Sequence, residues 1–199
     1  MKYITDFLNE AKNIIDSLDT VEIEKMIDIL KQVRDDNGRL FFIGVGGGAG
    51  HASHAVNDFR KIACIESYTP TDNVSELTAR INDDGWDNSY KNWLKVSKLN
   101  SKDCIFVFSV GGGNLDKNIS VNIVNALSYA KENNSKIIGV VGKDGGYTFK
   151  VSDACILVKS FDNNTITPQV ETFQALIWHL IVSHPKLLQN EMKWESTSS

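Results

Sequence analysis

The chain has 199 residues, 42% of them hydrophobic and 23% charged, a size and balance that fit one globular domain with a core of its own. Its net charge of -4 and pI near 5.6 supply no basic field for a phosphate backbone, so nucleic acid is set aside as a partner and any anion site must be local. The apolar runs are strand-sized, short of the ~20 residues that span a bilayer, and no charged-then-apolar leader opens the chain, so a cytoplasmic protein with no membrane partner is expected.

From the start of the chain, Ile4, Phe7, Leu8, Ala11, Ile14, Ile15 and Leu18 recur at helical spacing, and after Asp19 and Thr20 so do Ile23, Met26, Ile27, Leu30 and Val33. Two amphipathic helices therefore precede the first strand. Asp35-Asp36-Asn37-Gly38 is a turn, and Arg39 to Gly44 is an apolar run stopped by glycine, the pattern of a buried strand. Ile65 to Thr69, Cys104 to Phe108, Ile137 to Val141 and Ala154 to Val158 are further runs of strand length. A helix is predicted from about Asp116 to Asn133, with Ile119, Ile123, Ala126, Leu127 and Ala130 on one face. Strands without polar alternation, separated by helices, predict a parallel sheet of five strands covered on both sides, a three-layer α/β/α sandwich. The three cysteines, Cys64, Cys104 and Cys155, stand singly in apolar stretches without CxxC spacing and read as buried reduced thiols.

Two glycine loops follow predicted strands. Gly44-Val45-Gly46-Gly47-Gly48-Ala49-Gly50 leads into a helix bearing His54 and Asp58, and Ser109-Val110-Gly111-Gly112-Gly113-Asn114 opens the next. Glycines let backbone amides approach a ligand, and the helix N-terminus behind them favours negative charge. The spacing is neither the full dinucleotide fingerprint nor a P-loop, so no nucleotide cofactor is implied. Gly142-Lys143-Asp144-Gly145-Gly146 reads as a helix cap or a third rim element. His54 and Asp58 are spaced i,i+4, and Glu171 and His179 i,i+8 on an apolar last helix, so each pair shares a face. Two imidazoles and two carboxylates form either a proton-transfer centre or a divalent-metal site. His51 and His184 have no identifiable partner and read as surface residues.

Taken together these segments resemble the sugar isomerase (SIS) family, and within it the phosphoheptose isomerases. The residues that carry the resemblance are the Gly44 to Gly48 loop with the His54 to Asp58 helix, Ile81-Asn82-Asp83-Asp84-Gly85-Trp86, the intact Lys143-Asp144-Gly145-Gly146 turn, and the Glu171 to His179 helix. The chain departs from the family pattern at Gly48, where the first loop has serine, and in the second loop, where Ser109 alone survives of a serine- and threonine-rich segment. Asp58 stands for glutamate and Glu171 for glutamine.

The resemblance implies a flavodoxin-like SIS fold. It implies one unit, 1–199, with a helical segment at 1–37 used in oligomerisation and an α/β core at 38–199. It implies an enediolate isomerase converting D-sedoheptulose 7-phosphate to D-glycero-D-manno-heptose 7-phosphate, with Asp58 as the base and His179 as the acid. Zn²⁺ would be held by His54, Asp58, Glu171 and His179. Gly46, Gly47, Gly48, Asn82, Asp83, Ser109, Gly111, Gly112, Gly113, Asn114 and Glu171 would bind the substrate, Ser109 with the amides of Gly111 to Asn114 anchoring the phosphate and Asp83 contacting sugar hydroxyls. Family members assemble as homotetramers with shared sites, which would bring Glu171 and His179 of one chain to His54 and Asp58 of another. Two alternatives remain open: a non-catalytic SIS regulator that binds a sugar phosphate or a protein, and an isomerase of another phosphosugar.

Overall fold

The structure, a computed structural model, describes residues 2–160 and 162–192; residues 1, 161 and 193–199 of the expected 1–199 unit lie outside them. Two helices open the fold, α1 (Lys2–Asp16) and α2 (Thr20–Asp35), the second capped by Asp19, whose side chain accepts from the amides of Val21 and Glu22. Then come β1 (Leu40–Gly44), α3 (Gly47–Lys61), β2 (Ser67–Tyr68), α4 (Val74–Asp84), α5 (Trp86–Val96), β3 (Cys104–Ser109), α6 (Val121–Glu132), β4 (Lys136–Gly142), α7 (Gly146–Val151), β5 (Ala154–Val158) and α8 (Ile166–Val182).

The five strands form one all-parallel sheet in the order β2-β1-β3-β4-β5. Successive side chains of a strand point to opposite faces. Leu40, Phe42, Phe106, Phe108, Ile138 and Val140 therefore pack under α2, α3 and α8. Phe41, Ile43, Ile105, Val107 and Ile137 pack under α5 and α6. This is the three-layer α/β/α sandwich expected from the unbroken apolar strands.

Three details differ from the sequence-based expectation. The strand at Ile65 to Thr69 shortens to Ser67–Tyr68, paired only with β1 at the sheet edge, because Pro70 behind it has no N–H to donate. The helix expected from Asp116 begins at Val121. Asn114 and Ile119 exchange backbone hydrogen bonds of 2.8 and 2.9 Å, closing a small hairpin, and Asn118 and Ser120 take left-handed φ of 53° and 49°, which a right-handed helix does not admit. Ile119 is therefore exposed instead of buried. Cys104 and Cys155 are buried and free, while Cys64 is exposed; it occupies a left-handed position just beyond α3 (φ 54°), where the chain turns away from the core. Among the described residues no helix is long and apolar enough to cross a membrane.

Candidate active site

The strand order reverses between β1 and β3, and in open parallel sheets ligands settle outside the carboxyl ends of the strands at such a point. Both glycine loops stand there. Gly46, the N-cap of α3, has φ 60° and ψ -123°, a region open to glycine and strained for residues with a Cβ. Gly48 lies so close to β3 that a Cβ would collide with the Phe108 carbonyl, which accounts for glycine where the family pattern has serine. In the second loop the Gly112 amide donates to Ser109 Oγ (3.0 Å), and the carbonyls of Gly112 and Gly113 accept from Thr148 and Tyr147 of α7. The Lys143 to Gly146 turn thus both starts α7 and braces the loop.

Helices α3 and α8 pack against one another over this edge, and their facing sides carry the ionisable residues. His54, Asp58 and His179 meet within one chain. Asp58 Oδ2 is 3.8 Å from His54 Nε2 and 3.9 Å from His179 Nε2, and donor atoms of all three lie within 4.8 Å of one another. Asp58 Oδ1 accepts from Asn57 Nδ2 (2.8 Å), so the carboxylate presents its other oxygen to the two imidazoles. His179 Nδ1 is 2.7 Å from the Ala175 carbonyl. A carbonyl can only accept, so Nδ1 carries the proton and Nε2 turns toward Asp58. Trp178, fully buried, stacks on His179 with centroids 3.4 Å apart and meets His54 edge-on at 4.8 Å, giving both rings an apolar wall.

The other expected residues fall elsewhere. The Glu171 carboxylate stands against the first turn of α3, where a Cβ on Gly47 would come within 2.5 Å of Glu171 Oε1; there it faces the positive end of the α3 dipole. It is placed with the glycine loop, apart from the three-residue cluster. Asn82 and Asp83 lie exposed on α4, bonded to each other (2.8 Å). Asn114 forms the base of the hairpin, its Oδ1 accepting from the Lys117 amide.

Sequence reasoning missed His51, which lies one turn after Gly47 and shares electrostatic interactions with Glu171, His54 and His179. It is half-buried beside Phe108, and desolvation lowers its pKa below the ordinary 6.5, partly offset by the Glu171 charge. The signal was present, since positions 47, 51, 54 and 58 form one i,i+3/i+4 face, but the partner that gives it meaning lies 120 residues on. His184 is not free either: its Nε2 is 3.5 Å from Glu24 and its Nδ1 accepts from the Lys186 amide. Behind the second loop, Asn122 is wholly buried with neither polar side-chain atom partnered among the described residues.

The donor set fits a divalent ion. A tetrahedral Zn²⁺ with ligands near 2.0–2.2 Å spaces its donors by roughly 3.4 Å. The observed 3.8 and 3.9 Å to Asp58, within a set spanning up to 4.8 Å, are wider, so the three side chains would draw together around an ion and would leave a position open for substrate. The hydrogen bond from His179 Nδ1 to the Ala175 carbonyl would hold the imidazole in the orientation a metal ligand needs.

A family model for the SIS domain matches residues 2–142, which include His54 and Asp58. The chain is 27% identical over 196 residues to a phosphoheptose isomerase of Aliarcobacter butzleri, covering 95% of this chain and 96% of that one. It is 31% identical over 149 residues to a phosphoheptose isomerase of Rhodospirillum rubrum, covering 72% and 73%. A phosphoheptose isomerase structure from Neisseria gonorrhoeae superposes with a TM-score of 0.76 at 20% identity, covering 91% of this chain and 94% of that one. The parallel sheet in its 2-1-3-4-5 order, the two glycine loops at its switch point and the family match over most of the chain converge: this protein belongs to the SIS domain family.

Proposed function

We propose that this chain is an aldose–ketose isomerase of a sugar phosphate, with D-sedoheptulose 7-phosphate as substrate and D-glycero-D-manno-heptose 7-phosphate as product. The relatives named phosphoheptose isomerase support the substrate class. The observation that carries the reading is Asp58, whose Oδ2 faces two imidazoles while Asn57 holds Oδ1. In the open-chain ketose, Asp58 takes a proton from C1, the C1–C2 enediol forms, and the proton returns to C2. His179, with Nδ1 committed to Ala175, works through Nε2, giving and recovering the oxygen-bound proton during ring opening and enolisation. No oxidant or reductant is required, because hydrogen only changes position. In a zinc-loaded form, His54, Asp58 and His179 Nε2 would hold the ion, and its polarisation of the sugar oxygens would take the place of the proton on Nε2. Along α3, Gly47 and His54 are seven residues apart, about 10 Å at 1.5 Å per residue, which suits a chain held by its phosphate at the loops with its carbonyl end at the cluster.

The test is turnover of sedoheptulose 7-phosphate by metal-replete wild type beside Asp58→Asn and His179→Ala. Conversion by the wild type, falling about 10²–10⁴-fold in each variant, is expected. A folded, metal-loaded wild type that converts neither this ester nor other phosphosugars would leave the non-catalytic SIS binding protein as the reading. The hydroxyl-poor second loop is the feature that favours that alternative.

A further inference from the structure

The loop after β3 uses much of its hydrogen-bonding capacity internally. The Gly112 amide goes to Ser109 Oγ and the Asn114 amide to the Ile119 carbonyl, and Gly48 offers no hydroxyl. A phosphate dianion therefore finds few neutral donors, on a chain whose net charge is -4.

A cavity of about 720 Å³ opens beside that loop. Gly111 and the 114–119 hairpin wall one side, the turn after β4 another, and Ile166 and Thr167 of α8 a third. Two ammonium groups line it: Lys117, carried by the hairpin, and Lys143, carried by the turn. Lys143 is held at φ 54°, uncommon for a residue with a side chain. Among the described residues the ion pairs involve other cations, so both lysines are available. The carboxylate on the wall, Asp144, is engaged with its own turn, accepting from the Gly146 amide (3.2 Å). The hairpin that brings Lys117 here is the same departure from helix that Asn118 and Ser120 impose.

Resting on the sugar-phosphate reading, we infer that Lys117 and Lys143 clamp the phosphate end of the substrate in this cavity, charge taking over from the hydroxyl donors the loop has lost. Ammonium-to-phosphate hydrogen bonds are charge-assisted and stronger than hydroxyl contacts, so two offset the loss. Gly111 lines the cavity and also belongs to the loop at the β1/β3 crevice, so the cavity adjoins the loop expected to take the phosphate.

Calorimetric titrations test this with wild type, Lys117→Met, Lys143→Met and the double variant, and with Lys95→Met on α5 as a charge control. The ligands are sedoheptulose 7-phosphate, unphosphorylated sedoheptulose and inorganic phosphate. Each clamp variant is expected to weaken both phosphate-bearing ligands about tenfold, and the double variant roughly a hundredfold. Sedoheptulose binding and Lys95→Met stay at the wild-type level, and Lys143→Arg recovers affinity. Clamp variants that bind the ester as tightly as wild type overturn the inference, as does a wild type that binds neither phosphate-bearing ligand. Turnover is read separately. Lysine-dependent binding without isomerisation would sink the isomerase reading and keep the clamp, whereas isomerisation with an unchanged KM in the lysine variants would do the reverse.

Discussion

His51 shows how one side chain couples the site to solvent conditions. Burial holds its pKa below 6.5 in the folded chain, so on acidification the unfolded chain takes up this proton first. Folding stability is then full above pH 6.5, falls as the pH drops below it, and levels off once the depressed folded pKa is passed. In chelator-treated protein, melting temperatures between pH 7.5 and 5 are expected to fall in wild type and to fall less in His51→Asn. An equal slope in the two proteins would refute the assignment. The residues proposed to hold Zn²⁺ give a second readout at this scale. Zn²⁺ at a hundred times its Kd is expected to stabilise the chelator-treated protein by about 2.7 kcal/mol, seen as a raised melting temperature. That rise should disappear in His54→Ala and in His179→Ala. Their positions were legible in the i,i+4 and i,i+8 spacings; the separation of Glu171 from them was not, because it depends on how α8 lies against α3.

Among elements, the starts of β1 and β3 are joined by a buried carboxylate that no local pattern announces. Asp103, 1% exposed, accepts from the Arg39 amide (2.9 Å), from Arg39 Nε (3.2 Å) and Nη2 (2.7 Å), and from the Asn100 amide and side chain. The pair raises the pKa of Arg39 further above its ordinary value, chiefly through its hydrogen bonds to Asp103. Removing one partner of such a pair strands the other, so Asp103→Ala is expected to cost about 3–5 kcal/mol, read as a lower urea midpoint. Replacing an exposed acid such as Asp87 should shift it little. The helices and strands themselves were readable because their apolar residues repeat at 3.6 or run unbroken. The start of α6 was not, since the apolar spacing of 119, 123 and 127 continues through a segment that the Asn114 to Ile119 bridge turns into a hairpin.

For the whole molecule, the site is open where it needs cover. The side chains of His54 and His179 are 58% and 51% exposed, yet enediolate chemistry benefits from excluded water. Leu176 and Leu180, on the same helix as His179, and Tyr3, Ile4, Leu8 and Ile15 of α1 expose apolar surface, the kind of surface that contact with another chain covers. Assembly with further copies, as a homotetramer, would cover both. Sedimentation velocity is expected to give a species near four times 22.1 kDa, shifting to smaller species in Leu8→Glu and Leu180→Glu. A monomeric wild type would refute this. What the sequence determined by itself is the class of fold and the chemistry on offer: unbroken apolar strands force burial between helices, glycine runs mark backbone that approaches a ligand, and periodic spacing fixes which side chains share a helix face. Tertiary structure alone decided which faces meet. It joined Asp58 to His179 within one chain, set Glu171 and His51 beside Gly47, and closed the hairpin that aims Lys117 at the cavity, because each of these depends on the packing of elements far apart in the chain, which local periodicity does not encode.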